Sequence, residues 1–199
     1  MQKGEETRER IVRQAAEVFN RLGYARASVS DLEDATGLRT GGIYRHFPGG
    51  KEALAREAFR YSVAFFDERF EAAAALPGDA IARLNAIIDV YRLNAVEPPL
   101  SGGCPVMNAA IEHDAGGSSE LRRQARHAMD HWIALVETVV RQGQARGEIR
   151  KRPSPTTVAS MVLSTMQGAV MLSGLYREPA YVDRAGEQLS NYLEEVLRP

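Results

Sequence analysis

The chain has 199 residues, which suits one large domain or a small domain joined to a larger one and is enough to bury a sizeable core. It is 44% apolar and 26% charged, an ordinary globular balance. Its 25 basic and 26 acidic side chains nearly cancel, so the whole chain does not advertise a nucleic-acid partner.

The distribution of charge adds a little: residues 1–60 carry eleven basic against nine acidic side chains. The single cysteine, Cys104, cannot form an intrachain disulfide, which fits a reducing compartment. The amino end "MQKGEETRER" lacks an apolar signal core, and no run approaches the roughly 18 apolar residues of a membrane span. A cytoplasmic protein is expected, with no membrane partner.

The hydrophobic period is helical almost everywhere, so the expected class is all-α, with about nine helices. The first helix places Ile11, Ala15, Val18, Phe19 and Leu22 on one face and stops at Gly23. Ser28 followed by Asp31 predicts a capping-box start for a short second helix that ends at Thr36-Gly37. A short third helix follows Leu38 and is closed by Pro48-Gly49-Gly50. A long helix from about Lys51 to Leu76 comes next, ended by Pro77-Gly78. Asp79 caps a fifth helix bearing Ile81, Leu84, Ile88, Tyr91 and Ala95, which Pro98-Pro99 stops. The turn residues of "SGGC" lead into a short helix from about Pro105. Ser118 is expected to begin a long helix carrying Leu121, Ala125, Ala128, Trp132, Leu135 and Val139 at alternating four and three spacing, up to Gly147. Ser154-Pro155 starts another, with Val158, Val162, Thr165, Ala169, Leu172 and Tyr176 on one side. The last helix is expected from about Tyr181 to Leu197. Residues 1–50 form one expected domain and residues 51–199 a larger bundle, with the long fourth helix belonging to both.

Two short helices joined by Thr36-Gly37-Leu38 make a helix-turn-helix, with the first helix as platform. In that geometry the second short helix presents its early residues to base edges in the major groove. Ile43 and Phe47 anchor it, leaving Arg39, Thr40, Gly41, Tyr44 and Arg45 outward. Arg39 can hold a guanine edge in bidentate fashion, Thr40 can meet a base or a phosphate, and Tyr44 can reach a phosphate oxygen. The glycine pair Gly41-Gly42 costs helix stability, about 1 kcal/mol at each position relative to Ala, and removes side chains where close approach is needed.

The segment Thr7–Leu54 resembles the DNA-binding domain of the TetR/AcrR family of transcriptional regulators. The resemblance runs through Ala15-Ala16-x-x-Phe19, Gly23-Tyr24, Asp31-Leu32 and Gly37-Leu38, then Ile43-Tyr44-x-His46-Phe47 and Lys51-Glu52-x-Leu54. It implies a DNA-binding domain over residues 1–50 and an effector-binding and dimerisation domain over 51–199. It also implies a homodimeric repressor of a palindromic operator, released by a small-molecule effector. The sequence shows no phosphate loop, nucleophile elbow or paired-carboxylate motif, so neither a catalytic role nor a cofactor is expected. Tyr44, His46 and Lys51 would then hold phosphates, and Ser30 would touch the edge or backbone of the site. The family usually has Ser or Thr at Gly42, a Ser cap at Arg39 and a small residue at Glu33, so this chain departs at each.

The two three-four seams predict an antiparallel helix pair. Ser160, Ser164 and Gly168 add a stripe of small residues, and two such pairs about a two-fold axis make an isologous interface. The expected interface set is Leu121, Ala125, Trp132, Leu135, Val139, Ser160, Ser164, Gly168 and Leu172. The expected effector pocket draws on Phe65, Phe66, Tyr91, Cys104, Met107, His113, Trp132, Met166 and Met171. Cys104 stands at a helix start, where the dipole favours a thiolate, and some family members sense electrophiles through such a cysteine. His127 and His131 stand four apart but have no third ligand at matching spacing, so no metal site is expected. Alternatives to a repressor are an activator, a ligand-independent regulator, or a helical enzyme or metal-binding protein.

Overall fold

A computed structural model describes residues 2–114 and 119–199, with side chains for 4–112 and 120–199. Among them the secondary structure is helical throughout. The helices are α1 Gln2–Leu22, α2 Val29–Thr36, α3 Thr40–Tyr44, α4 Gly50–Ala74, α5 Ala80–Val96, α6 Pro105–Asp114, α7 Ser119–Arg146, α8 Pro155–Tyr176 and α9 Ala180–Tyr192. The expected start of α7 at Ser118 lies outside the described residues. The expected last helix is in fact α9 followed by a π-helical turn, Leu193–Leu197.

The sequence caps act where they were expected. Ser28 Oγ accepts from the Asp31 N–H at 3.1 Å while the Asp31 carboxylate accepts from the Ser28 N–H at 2.7 Å. Gly37 closes α2 in the left-handed region at φ +66°. Asp79 accepts from the Ala82 N–H and Ser154 from the Thr157 N–H, starting α5 and α8.

The chain divides into two compact units. The first is Met1–Phe65 with Leu100–Ala128, and the second Phe66–Pro99 with Met129–Pro199. The first unit buries Ile11, Ala15, Leu32, Ile43, Phe47 and Leu54 in one apolar cluster with Leu100. It also takes in α6, which the sequence placed with the bundle. Here Asn20 donates to the carbonyls of Ser101 and Gly103 at 2.7 and 2.9 Å, and Asn108 donates to that of Gly102 at 2.8 Å. Glu112 accepts from the backbone N–H groups of Tyr24 and Ala25, two donors that follow the end of α1. Gly102 is required there: its φ is +98°, and a Cβ would stand 2.3 Å from the Asn20 carbonyl oxygen.

In the second unit α5 packs with α8 and α9. Ile81, Leu84, Ile88, Val162, Met166, Val182 and the terminal Leu193 and Leu197 are all shielded from solvent. Phe70 gathers the aromatic residues, with ring centroids 5.3 Å from Tyr91 and 5.0 Å from Trp132. Trp132 is 1% exposed, and its indole N–H donates to Asp67 at 2.6 Å.

α8 corrects one reading of the sequence. It is long and apolar enough, by length and composition, to cross a membrane, with a mean hydropathy of 1.4 over its best window. Its serines and threonines are uncharged, so they break an unbroken apolar run without lowering the average far. A third of that window is buried within the protein.

Candidate nucleic-acid interface

α3 is only five residues long, too short to stand alone, and it is held by its neighbours. Ile43 and Phe47 are 0% and 1% exposed, each worth about 1.5–3 kcal/mol of buried apolar surface. Arg8 lies 4.9 Å from the Phe47 ring centroid and pairs with Glu57. Arg39, at the position before the helix, gives no side-chain cap.

The cap comes instead from α2. Glu33 Oε1 accepts from both the Thr40 N–H and the Thr40 hydroxyl at 2.6 Å, and Glu33 Oε2 lies 3.5 Å from the Arg39 guanidinium. The Thr40 hydroxyl and backbone bonds, ahead of the Arg39 charge, hold the Glu33 carboxyl below its usual pKa. A carboxylate seven residues before Thr40 thus caps the helix start that Arg39 leaves uncapped, and it sits favourably at the positive end of the helix.

Around this cap the sequence-predicted residues differ in exposure. Ser30, Arg39, Thr40, Gly41 and Arg45 are exposed, with the Arg39 side chain 94% exposed. Gly42, Tyr44, His46 and Lys51 are half-buried. Tyr44 packs against the apolar cluster, and burial raises its pKa, so its hydroxyl remains a proton donor. Lys51 lies 4.6 Å from the Tyr24 ring centroid; burial lowers its pKa, opposed by the charges of Glu112 and Asp31. Neither Gly41 nor Gly42 is required by the fold. A Cβ on Gly41 would meet nothing within 4 Å, and one on Gly42 would only touch Leu38 at 3.6 Å.

The late helices divide differently from expectation. Leu121, Ala125, Trp132 and Val139 are between 1% and 7% exposed, buried within the single chain, so they are not available to a second copy. Their seam is filled by the chain's own apolar residues. Leu135, Gly168 and Leu172 are half-buried, and Ser160 and Ser164 are exposed. Beside that stripe Met171, Leu175 and Tyr176 are 48%, 70% and 60% exposed. Met171, expected in the pocket, is thus half exposed in the single chain.

The expected pocket residues fall in both units. Phe66, Tyr91, Trp132 and Met166 are core residues of the second unit. Phe65 stacks edge-on against Tyr61 at 5.1 Å in the first unit, which also holds Cys104 and Met107 on the α6 segment. The His113 side chain lies outside the described residues. Cys104 does sit just before α6, but it is 5% exposed, the setting of a packing cysteine rather than an accessible thiolate. His127 is exposed and His131 Nε2 lies 3.1 Å from Glu71; among the described residues no three potential ligands gather for a metal.

Residues 11–58 match the model of bacterial regulatory proteins of the tetR family, and residues 80–189 match that of the tetracyclin repressor-like C-terminal domain. The chain belongs to the TetR family. It is thus a DNA-binding transcriptional regulator of the helix-turn-helix type. A TetR regulator from Chloroflexus aurantiacus is similar to it at 42% identity and a TM-score of 0.93, covering 100% of this chain and 99% of that one. An HTH-type regulator of Mycobacterium tuberculosis is 28% identical over 94% of this chain and 93% of its own length. The HTH-type repressor DhaR of a Mycobacterium species is 23% identical over 89% and 87%.

Within this TetR-family chain, sequence reasoning missed the capping role of Glu33, the central ring Phe70, and the Asn20–Asn108–Glu112 bonds that tie α6 to α1. Phe70 was findable, since it stands four residues after Phe66 on one helix. The other features depend on tertiary approach and leave no local pattern.

Proposed function

We propose that this regulator is a ligand-responsive repressor that binds a palindromic operator as a homodimer. In this reading residues 1–50 read DNA, and residues 51–199 dimerise and bind the effector. One observation carries it: α3 presents Arg39, Thr40, Gly41 and Arg45 to solvent, on a helix whose two glycines the fold itself does not need. Arg39 serves a guanine edge, while Tyr44, His46 and Lys51 take phosphates on either side. Gly41 lets the backbone approach the duplex.

The dimer contact is assigned to the open face of α8, with Ser160, Ser164, Gly168 and Leu172 allowing close approach and Met171, Leu175 and Tyr176 supplying apolar area. DhaR, named as a repressor, supports the sign of regulation. The effector must prefer the state that does not bind operator, and a coupling of about 1–3 kcal/mol is ordinary for such a switch. Half-sites recur about 34–36 Å apart, so a modest change in the spacing of two heads releases DNA. The chain then works in the cytoplasm, where the operator lies.

The test is an electrophoretic shift with DNA upstream of the protein's own gene, across a range of salt concentrations, with and without candidate effectors. Sequence-specific retardation, reversed by an effector, is expected. No sequence-specific complex at any salt concentration overturns the reading.

A further inference from the structure

Thr40 opens α3 with its hydroxyl already engaged. Its Oγ1 and its backbone N–H both donate to Glu33 Oε1 at 2.6 Å. Glu33 Oε2 lies 3.5 Å from the Arg39 guanidinium, so the carboxylate is held by two groups besides the hydroxyl. Chemistry fixes the direction of the hydroxyl bond, because an ionised carboxylate only accepts. The Glu33 carboxyl is ionised at neutral pH, its pKa lowered chiefly by those Thr40 bonds and then by the Arg39 charge.

A threonine hydroxyl has one hydrogen and two lone pairs. With the hydrogen directed at Glu33, Oγ1 has only lone pairs to offer to anything else. Turning the hydrogen outward would set the lone pairs of two oxygens against each other at 2.6 Å. Thr40 is exposed, and α3 carries it on its solvent side. Phosphate oxygens, guanine O6 and N7, adenine N7 and thymine O4 are all acceptors, so none of them pairs with such an oxygen. The major-groove donors are the amino groups of adenine and cytosine. Every base pair has one of them, on one strand or the other. An acceptor therefore reads which strand bears the amino group, and sorts A·T with C·G against T·A with G·C.

We propose that Thr40 is a specificity-determining residue that reads a base amino group in the major groove, with Glu33 setting its hydroxyl as an acceptor. The proposal deepens the reading in which α3 enters the groove, and rests on it. Adenine and cytosine are accepted on the strand that Thr40 meets, and guanine and thymine are refused. Glu33 thus acts on operator choice through Thr40.

The test selects bound sequences from a random double-stranded pool with the full-length protein and with Thr40→Val. That variant keeps the shape of the side chain and the backbone bond to Glu33 but removes the hydroxyl. The position at which the two selections differ is the one that Thr40 reads. There the protein should divide the four base pairs into the two classes above, and Thr40→Val should not. Deleting the amino group at that pair, with unsubstituted purine for adenine or 2-pyrimidinone for cytosine, should weaken binding by the protein about three- to tenfold. The same deletion should leave the affinity of Thr40→Val unchanged. Glu33→Ala frees the hydroxyl hydrogen, so the division should also vanish in that variant. If Glu33→Ala does not fold, the Thr40→Val comparison decides alone. No position of difference, a difference that follows another division of the base pairs, or indifference to the amino deletion overturns the proposal and leaves the regulatory reading standing. Failure to select any sequence overturns both.

Discussion

α3 and α8 sit at opposite ends of what a helix can be. α3 has five residues, two of them glycine, no side-chain cap of its own, and a polar, charged exposed face. α8 has 22 residues, its own Ser154 cap followed by Pro155, and an exposed face of Met171, Leu175 and Tyr176 beside small residues. The first depends on buried Ile43 and Phe47 to hold it, with Glu33 capping its start, and its surface suits a polyanion. The second is largely self-sufficient, and its surface suits apolar protein. What a helix leaves uncovered thus says which partner it lacks, and how it is held says how a mutation will act.

The largest effect should come from the anchors of α3. Phe47→Ala should cost about 3–5 kcal/mol in chemical denaturation and abolish DNA binding, because the side chain is fully buried. A cost near zero would mean that α3 is held by something else. On α8 the opposite split is expected. Leu175→Asp, at a residue 70% exposed, should change the stability of the single chain by no more than about 0.5 kcal/mol, yet leave it monomeric in sedimentation. A dimer that persists would place the interface elsewhere.

Gly41→Ala separates fold from function within α3 itself. A methyl group there meets open space, so the fold should gain up to about 1 kcal/mol while operator affinity falls. Unchanged affinity would remove the close-approach role. The smallest effect concerns Glu33, whose folded pKa is depressed chiefly by its hydrogen bonds from Thr40. A group of this kind contributes stability that is fully present above its unfolded pKa and lost as pH falls through its folded one. The difference between the protein and Glu33→Gln should therefore shrink as pH drops below the ordinary carboxylate range. A difference that stays constant down to strongly acidic pH would show that the carboxylate does not cap α3.

The sequence made the helix boundaries legible because their signals are local. Ser28 with Asp31, Asp79, and Ser154 with Pro155 are each read within four residues, and each caps the helix it was expected to cap. The exposed side of α3 was legible for a related reason: Ile43 and Phe47 are buried together, which leaves Arg39, Thr40, Gly41 and Arg45 outward, whereas Tyr44, expected outward too, packs against the apolar cluster. Position relative to distant parts was not legible. A three-four seam shows that Leu121, Ala125, Trp132 and Val139 share a face, but not whether that face meets its own chain or a second copy. Here it meets its own chain. Glu33 reaches Thr40 only because the turn folds α2 against α3, and Arg83 has the sequence context of an ordinary helix surface residue until the fold buries it.

The central claim is that the exposed face of α3 reads a specific duplex. Selection of bound sequences from a random double-stranded pool tests it most directly, run with the protein and with Arg39→Ala. The account predicts enrichment of an inverted repeat by the protein. It also predicts that Arg39→Ala loses about 1–3 kcal/mol of affinity and tolerates other bases at one symmetric pair of positions. Enrichment of no sequence, or of the same sequence with undiminished preference by both proteins, would contradict it.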